Sequence, residues 1–371
     1  MLILSIIAFV LMLSFLVIIH ELGHFVTARL FKIKIEEFGL GYPPHARTLF
    51  TWKGIPFTLN WIPVGGFVRM EGENGGDHEQ VDHPKSHFAP FYTKSRLQRF
   101  IVILAGATIN FLFGVLAFTL IYSYVGIPFP KNPPQTVIAQ INDGPAKLAG
   151  LQENDLLVKA KDANGDQITI GSSVDFMHWI LSKPDTNVTI TYKRNSELHE
   201  ATLHTRKADE ISTLGAMSVS LAEPIERKFY PWYRMPFEAT KFGLQLSLDF
   251  SKTILGGLGK MGSDLLHKGK VPTDVAGPIG IVSMVAKEKL FSSGWLEILN
   301  FTAMFSINLA IMNVLPIPAL DGGRALFILL EFLIGRKRVS SIEQHANAVG
   351  FGILVTLILL ISIKDVWMLF R

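Results

Sequence analysis

The chain has 371 residues, 49% of them apolar and only 18% charged, with a mean hydropathy of +0.34, which excludes an ordinary soluble protein. It has no cysteine, so disulfides, thiol catalysis, Cys-ligated zinc and iron–sulfur clusters are excluded, and a metal must take nitrogen and oxygen ligands. The formal net charge of +4 arises from Lys and Arg beside apolar runs, which suits anchoring at a lipid bilayer and excludes nucleic acid as a leading partner.

Leu2 to Ile19 is long enough to approach the roughly 20 residues that span a bilayer. No Lys or Arg precedes this run, and His20, Glu21 and His24 follow it, so a retained helix is expected rather than a cleaved signal peptide. His20-Glu21-Leu22-Gly23-His24 is an H-E-x-x-H sequence. On a helix, at about 100° per residue, the imidazole of His24 lies about 40° around from that of His20 and one turn along, so both reach one ion. Such a pair suits Zn2+, and Glu21 beside it suits a general base. An ionisable cluster abutting an apolar run is read as functional, because histidines and a carboxylate at that depth must face a cavity, pair or bind metal.

Thr48 to Trp52 and Ile55 to Trp61 flank Lys53-Gly54 as a hairpin, with Phe57, Leu59 and Trp61 alternating on one face. A second span is expected from Phe100 to about Ile127. Thr136 to about Arg206 has the texture of a small β-rich domain, with turn clusters at Asn142-Asp143-Gly144-Pro145 and Asn164-Gly165-Asp166. From Phe237 to Leu266 a four-residue apolar step through Phe242, Leu246, Phe250, Ile254 and Leu258 predicts an amphipathic helix. Lys241, Asp249, Lys252 and Lys260 argue against a fifth span there. A third span, Leu296 to Leu315, carries an unusual polar load in Asn300, Thr302, Ser306, Asn308 and Asn313, and a fourth runs from Ala346 to Ile363. The expected divisions are 1–127, 134–207, 225–275 and 276–371.

Basic residues set orientation. Arg29, Lys32 and Lys34 follow span one, Arg96 and Arg99 precede span two, and Arg336, Lys337 and Arg338 join spans three and four, which predicts those loops to be cytoplasmic. Catalytic zinc keeps three protein ligands, and the best third candidate is Asp321, which follows Pro316 and Pro318 and precedes Gly322-Gly323. Locally it reads as a turn-forming aspartate, whereas the topology brings it to the depth of His20 and His24.

H-E-x-x-H in a first apolar helix and N-x-x-P-x-P-x-L-D-G-G at the end of a later one resemble the site-2 protease family of intramembrane zinc metalloproteases. The arrangement is similar to the bacterial branch typified by the regulator of sigma-E protease. Gly106 to Asn110, Gly277-Pro278-Ile279-Gly280-Ile281, and Gly144-Pro145-Ala146 with Ala149-Gly150-Leu151 and Asp155 resemble further family elements, the last a PDZ signature. The chain has room for one PDZ domain where sigma-E-type members often have two.

The resemblance implies an α-helical membrane protein of about four transmembrane helices with a membrane-associated β-hairpin and an inserted α+β PDZ-like domain. It implies an inner-membrane zinc endopeptidase with single-pass transmembrane substrates. Asn313 contacts substrate backbone or caps its own helix, and Asn110 contacts substrate or packs helices between Gly106 and Gly114. The PDZ-like domain either captures a new chain end or filters substrates by size. A non-catalytic membrane adaptor is the rival reading, against which Glu21 argues; an ion carrier is disfavoured by four spans without visible repeats.

Overall fold

The computed structural model describes residues 2–73, 88–210, 215–268, 277–287, 290–292 and 294–369. Among these, four helices are long and apolar enough to cross a membrane, with candidate spans Ser5–Leu30, Arg96–Val125, Trp295–Val314 and Arg338–Trp367. The chain divides into two compact units, one formed by Met1–Tyr124 with Pro231–Arg371 and the other by Val125–Tyr230.

The first unit begins with α1 (Leu2–Leu30), whose apolar run carries straight on through the H-E-x-x-H sequence. Strands β1 (Ile35–Trp52) and β2 (Ile55–Met70) follow as one antiparallel hairpin. Lys53 (φ 49°) and Gly54 (φ 82°) form its turn, both left-handed as a type I′ connection requires. The strands are longer than the sequence pattern predicts because β1 is used twice. Phe38, Gly39 and Leu40 pair with Phe57, Thr58 and Leu59 on one side and with Val68, Phe67 and Gly66 on the other. The hairpin is therefore a curled sheet, with Phe38 stacked on Phe57 and Phe57 on Phe50, while Leu59 and Trp61 stay exposed.

Helix α2 (Arg96–Val125) crosses α1 at two glycines. A Cβ at Gly23 would stand 2.5 Å from the carbonyl oxygen of Ala105, so no larger residue permits this approach.

In the second unit β3 (Ile127–Pro130) pairs with β10 (Ile225–Lys228). The main sheet has the order β8 (Glu197–His204), β7 (Asn187–Arg194), β5 (Leu156–Asp162), β4 (Thr136–Ile141), β9 (Val219–Ala222), with β6 (Gln167–Thr169) on β5. Helices α3 (Pro145–Leu148) and α4 (Ser173–Leu181) complete it, with the Ser172 hydroxyl capping α4 at Val174 N–H. Its core is aliphatic and aromatic, built on Ile138, Leu157, Phe176, Val188 and Ile190. The unit reaches beyond the expected 134–207: β9 follows that range and pairs with β4.

Back in the first unit, α5 (Met235–Lys268) is one long helix. Phe242, Leu246, Phe250, Ile254 and Leu258 are only half-buried, whereas Ala239, Gly243, Ser247 and Ser251 are buried. Gly243 meets α2 at Val115, Phe118 and Thr119. Small residues let backbones approach, and lipid is as good a solvent for Phe and Leu as a protein core, so the small stripe faces inward. Both serine hydroxyls donate to the carbonyl one turn back, each at 2.7 Å. The end of the expected 225–275 segment, 269–275, lies outside the described residues, and Ile225–Lys228 is strand.

Helix α6 (Pro278–Lys287) holds the G-P-x-G-I element, where Gly280 N–H donates to Asp365 Oδ2 at 2.7 Å. Then come α7 (Trp295–Val314), α8 (Asp321–Ile334) and α9 (Arg336–Leu369). Helix α8 was not foreseen; its 14 residues separate the third and fourth spans where the sequence suggested a basic loop.

Candidate metal centre

His20 and His24 lie on one face of α1, buried, with ring centroids 4.8 Å apart. Their depth against α2 is set by Gly106, where a Cβ would stand 2.5 Å from His24 Nε2 and 2.6 Å from His20 Nε2. A glycine in mid-helix thus makes the space into which both imidazoles converge.

Asp321 reaches this space from the other side. Helix α7 ends at Val314, and the chain turns back through Pro316, Pro318 and Ala319, whose φ of 74° is left-handed. The Ala319 N–H donates to Asn347 Oδ1 of α9 at 3.0 Å. Asp321 then opens α8 as its first residue, where a carboxylate is favoured by the helix dipole. Gly322 and Gly323 do not make the turn, as the sequence suggested; they are helical, and a Cβ on either would run into the carbonyls of Val314, Leu315 or Ile317. Two ion pairs hold α8 in place. Arg99 and Glu331 form a buried fork between α2 and α8, with Nη1–Oε1 at 2.9 Å, and Arg324, one turn after Asp321, pairs with Glu73 beyond β2.

The three groups form a tight triangle. His20 Nε2 is 2.9 Å from Asp321 Oδ2, His24 Nε2 is 3.3 Å from the same oxygen, and the two Nε2 atoms are 3.1 Å apart. Ligand atoms held about 2.0–2.1 Å from one zinc at tetrahedral angles stand about 3.3 Å apart, so the donor set has the right size and chemistry for that ion. The opposite edge of His24 agrees: Nδ1 lies 2.8 Å from the Val102 carbonyl, which only accepts, so the proton sits on Nδ1 and the Nε2 lone pair is free.

Glu21 lies on the neighbouring face of α1, and β2 passes beside it. A Cβ at Gly66 would come within 3.4 Å of Glu21 Cγ, and the preceding Gly65 packs against the Tyr42 ring. Burial, and behind it the negative charge of Glu21, raise the Tyr42 phenol above its ordinary range, so it stays a hydrogen-bond donor at neutral pH. Gly106, Tyr42 and Arg324 were not singled out as site residues by sequence reasoning. Only Gly106 left a signal, as a glycine in an apolar helix spaced four residues from Asn110.

Asn313 sits half-buried in the last turn of α7, and its side chain makes no hydrogen bond among the described residues, so capping of its own helix finds no support. Asn110 is fully buried, its amide nitrogen 3.4 Å from His20 Nδ1 and its main-chain carbonyl accepting from Ser306 Oγ of α7 at 2.7 Å. Asn110 thus packs on His20 and α7.

The pattern of Peptidase family M50 matches residues 8–357. The chain is 32% identical over 364 residues to the Fusobacterium nucleatum protein named "Putative zinc metalloprotease FN1322", covering 98% of each. It is 27% identical over 445 residues to the regulator of sigma-W protease RasP of Bacillus subtilis, covering 99% of each. It is 26% identical over 436 residues to the zinc metalloprotease RasP of Geobacillus kaustophilus, covering 98% of this chain and 97% of that one. With the match extending through the helices that carry both motifs, the chain belongs to Peptidase family M50, the site-2 protease family, and is a zinc metalloprotease of the membrane.

Proposed function

We propose that this protease hydrolyses peptide bonds within or near the transmembrane segment of single-pass membrane proteins, with His20, His24 and Asp321 as zinc ligands and Glu21 as general base. The observation that carries the assignment is the triangle of Nε2, Nε2 and Oδ2 atoms with edges of 2.9, 3.1 and 3.3 Å. Zinc in that position supplies Lewis acidity, which acidifies water and polarises a carbonyl. Glu21 takes the proton of the attacking water and returns it to the leaving amide nitrogen, while the Tyr42 hydroxyl stands ready to donate near the same carboxylate.

A substrate helix hides its backbone in its own hydrogen bonds, so a scissile segment must unwind and find new partners. The edge of β2 at Gly65-Gly66, beside Glu21, offers strand pairing at the point of hydrolysis. Asn313 supplies a free amide for the substrate backbone. Basic residues after α1, before α2 and at the start of α9 argue for a cytoplasmic position of those segments in a bacterial inner membrane, with Val125–Tyr230 on the opposite side. We read this unit as a PDZ-like domain, one that takes a chain end or screens bulky ectodomains. The adaptor reading has nothing in its favour that a protease lacks, and it leaves Glu21 without a task.

The test is a purified, zinc-analysed protein in liposomes with a single-pass substrate. Glu21→Gln is expected to keep its zinc and to lose cleavage by about 10²–10⁴-fold, the usual worth of a positioned base. Cleavage near the parental rate in that variant overturns the assignment of Glu21, and parental zinc content in His20→Ala/His24→Ala overturns the ligand set.

A further inference from the structure

We propose that Asn110 is a positioning residue of the metal centre: its side-chain carbonyl accepts the Nδ1–H of His20 and so keeps the Nε2 lone pair of that imidazole free for zinc. The proposal rests on the reading of His20, His24 and Asp321 as ligands.

The two histidines are supported from α2 in parallel ways. His24 Nδ1 meets the Val102 carbonyl at 2.8 Å, and His20 Nδ1 meets the Asn110 side chain at 3.4 Å. Val102 and Asn110 are eight residues apart, about 12 Å along the helix, and Gly106 halfway between makes room for both rings. The difference is that a main-chain carbonyl has one polarity whereas a side-chain amide has two. With the amide nitrogen facing His20, the N–H donates and Nδ1 must accept. A neutral imidazole carries a single proton, so that proton then sits on Nε2, aimed at Asp321 Oδ2 2.9 Å away and into the place of the ion. That tautomer cannot ligate.

Turning the amide by 180° exchanges oxygen and nitrogen at nearly the same positions. The oxygen then accepts from Nδ1–H, and Nε2 is released towards the metal. The Asn110 side-chain oxygen is buried and without a hydrogen-bond partner among the described residues, so nothing anchors it where it stands. One amide atom stays unpaired in either orientation, and the balance is therefore decided at the histidine, where only one orientation is compatible with a ligand. Ser306 Oγ, bonded to the Asn110 main-chain carbonyl, fixes the residue from α7 whichever way the amide turns.

The two orientations predict opposite behaviour for Asn110→Asp, which accepts but does not donate. Full-length parent, Asn110→Asp, Asn110→Leu, Asn110→Ala and His24→Ala are purified, loaded with zinc, and titrated with a chelator, with thermal unfolding of each apo protein as a control for folding. The expected result is parental or tighter zinc retention in Asn110→Asp and a loss on the order of 10–100-fold in Asn110→Leu and Asn110→Ala, the usual effect of removing a partner behind a ligating histidine. If Asn110→Leu does not fold, Asn110→Ala and Asn110→Asp decide. Zinc retention in Asn110→Asp as poor as in the truncations means that the amide donates, and it overturns the proposal. Parental retention in the truncations, with only KM raised, overturns it in favour of a substrate role. Parental retention in His24→Ala shows instead that the ligand reading fails, and the proposal falls with it.

Discussion

The two units of this chain differ in what their interiors hold beside an apolar core. In Val125–Tyr230 the core is aliphatic and aromatic, and one of its two buried carboxylates, Asp155, is met by a fork from Arg194, Nε–Oδ1 and Nη2–Oδ2 both at 2.7 Å. In the helical unit a cluster built on Phe25, Phe38, Phe91 and Ile103 is buried too, but many of the largest apolar side chains of the helices, among them Leu11, Phe15, Leu112, Leu116 and Leu120, point outward, and small or polar residues lie inside beside that cluster: Gly23, His20, His24, Gly106, Asn110, Gly114, Ser247 and Ser306. Water makes hydrophobicity the mark of an interior, whereas lipid removes that distinction and leaves close approach and polar satisfaction to decide what faces in. The candidate metal centre is the extreme case, since the same crossing of α1 and α2 that needs glycines also brings His20 and His24 together.

The largest effect follows from breaking that polar interior at its centre. Asp321→Ala leaves two imidazoles, one ligand short of a catalytic zinc site, so zinc content of the purified protein should fall to near zero and cleavage with it. Stoichiometric zinc in this variant makes Asp321 a helix-opening residue and moves the third ligand elsewhere. A smaller change tests close approach itself. Gly106→Ala adds one methyl group at a point 2.5 and 2.6 Å from the two Nε2 atoms. Overpacking of this kind costs about 1–3 kcal/mol, and here it falls on the ligands, so zinc retention against a chelator should drop by about 10-fold or more while the helices stay folded. The matching change in the other unit, at Gly165, which has nothing near its Cβ position, should leave zinc untouched.

How far the sequence could be read follows the same division. The meeting of His20, His24 and Asp321 was legible because helical spacing places the two histidines together by local geometry alone, and because the order of four apolar runs suggested which ends share a side. The hairpin was legible from Lys53-Gly54. What escaped depends on contacts distant in sequence: the folding of β1 between two parts of β2, the return of β9 to β4, and the fork of Arg99 with Glu331 across 232 residues. Helix α8 escaped for a different reason. Gly322-Gly323 after two prolines is a strong turn signal, and only packing against the carbonyls of residues 314, 315 and 317 shows that these glycines are helical and close-packed. The inward face of α5 was not legible because small residues, not the apolar step, mark its buried side.

Removing the second unit tests whether the two interiors depend on each other. Strands β3 and β10 end side by side, with Pro130 paired to Ile225, so residues 131–224 can be replaced by a short Gly-containing turn that leaves this ladder closed. Zinc content should be unchanged and cleavage of a short single-pass substrate within a few-fold of parental, while the range of accepted substrates widens or shifts. Complete loss of activity in a zinc-loaded deletion would mean that the β-rich unit supports catalysis.

The smallest expected effect at the zinc comes from Asp155, a buried charge of the β-rich unit. Asp155 is almost fully buried, accepts from Gln152 N–H at 2.8 Å as well as from Arg194, and the same guanidinium donates to the Gly150 carbonyl at 2.9 Å. The bond with Asp155 raises the Arg194 pKa above its ordinary value. Its geometry ties the turn after α3 to β7, two segments 39 residues apart. Asp155→Asn keeps the shape but removes the charge and one acceptor, and bonds to charged groups are worth about 1.5–3 kcal/mol, so this unit should open about 2 kcal/mol more readily. Amide exchange should then speed up across β4, β5 and β7 together, since a sheet with one core opens as a block. Exchange in α1 and α2, and zinc retention, should not change. If loss of this one charge loosens the histidine-bearing helix as well, the two units are one cooperative body, and the contrast between their interiors describes composition only.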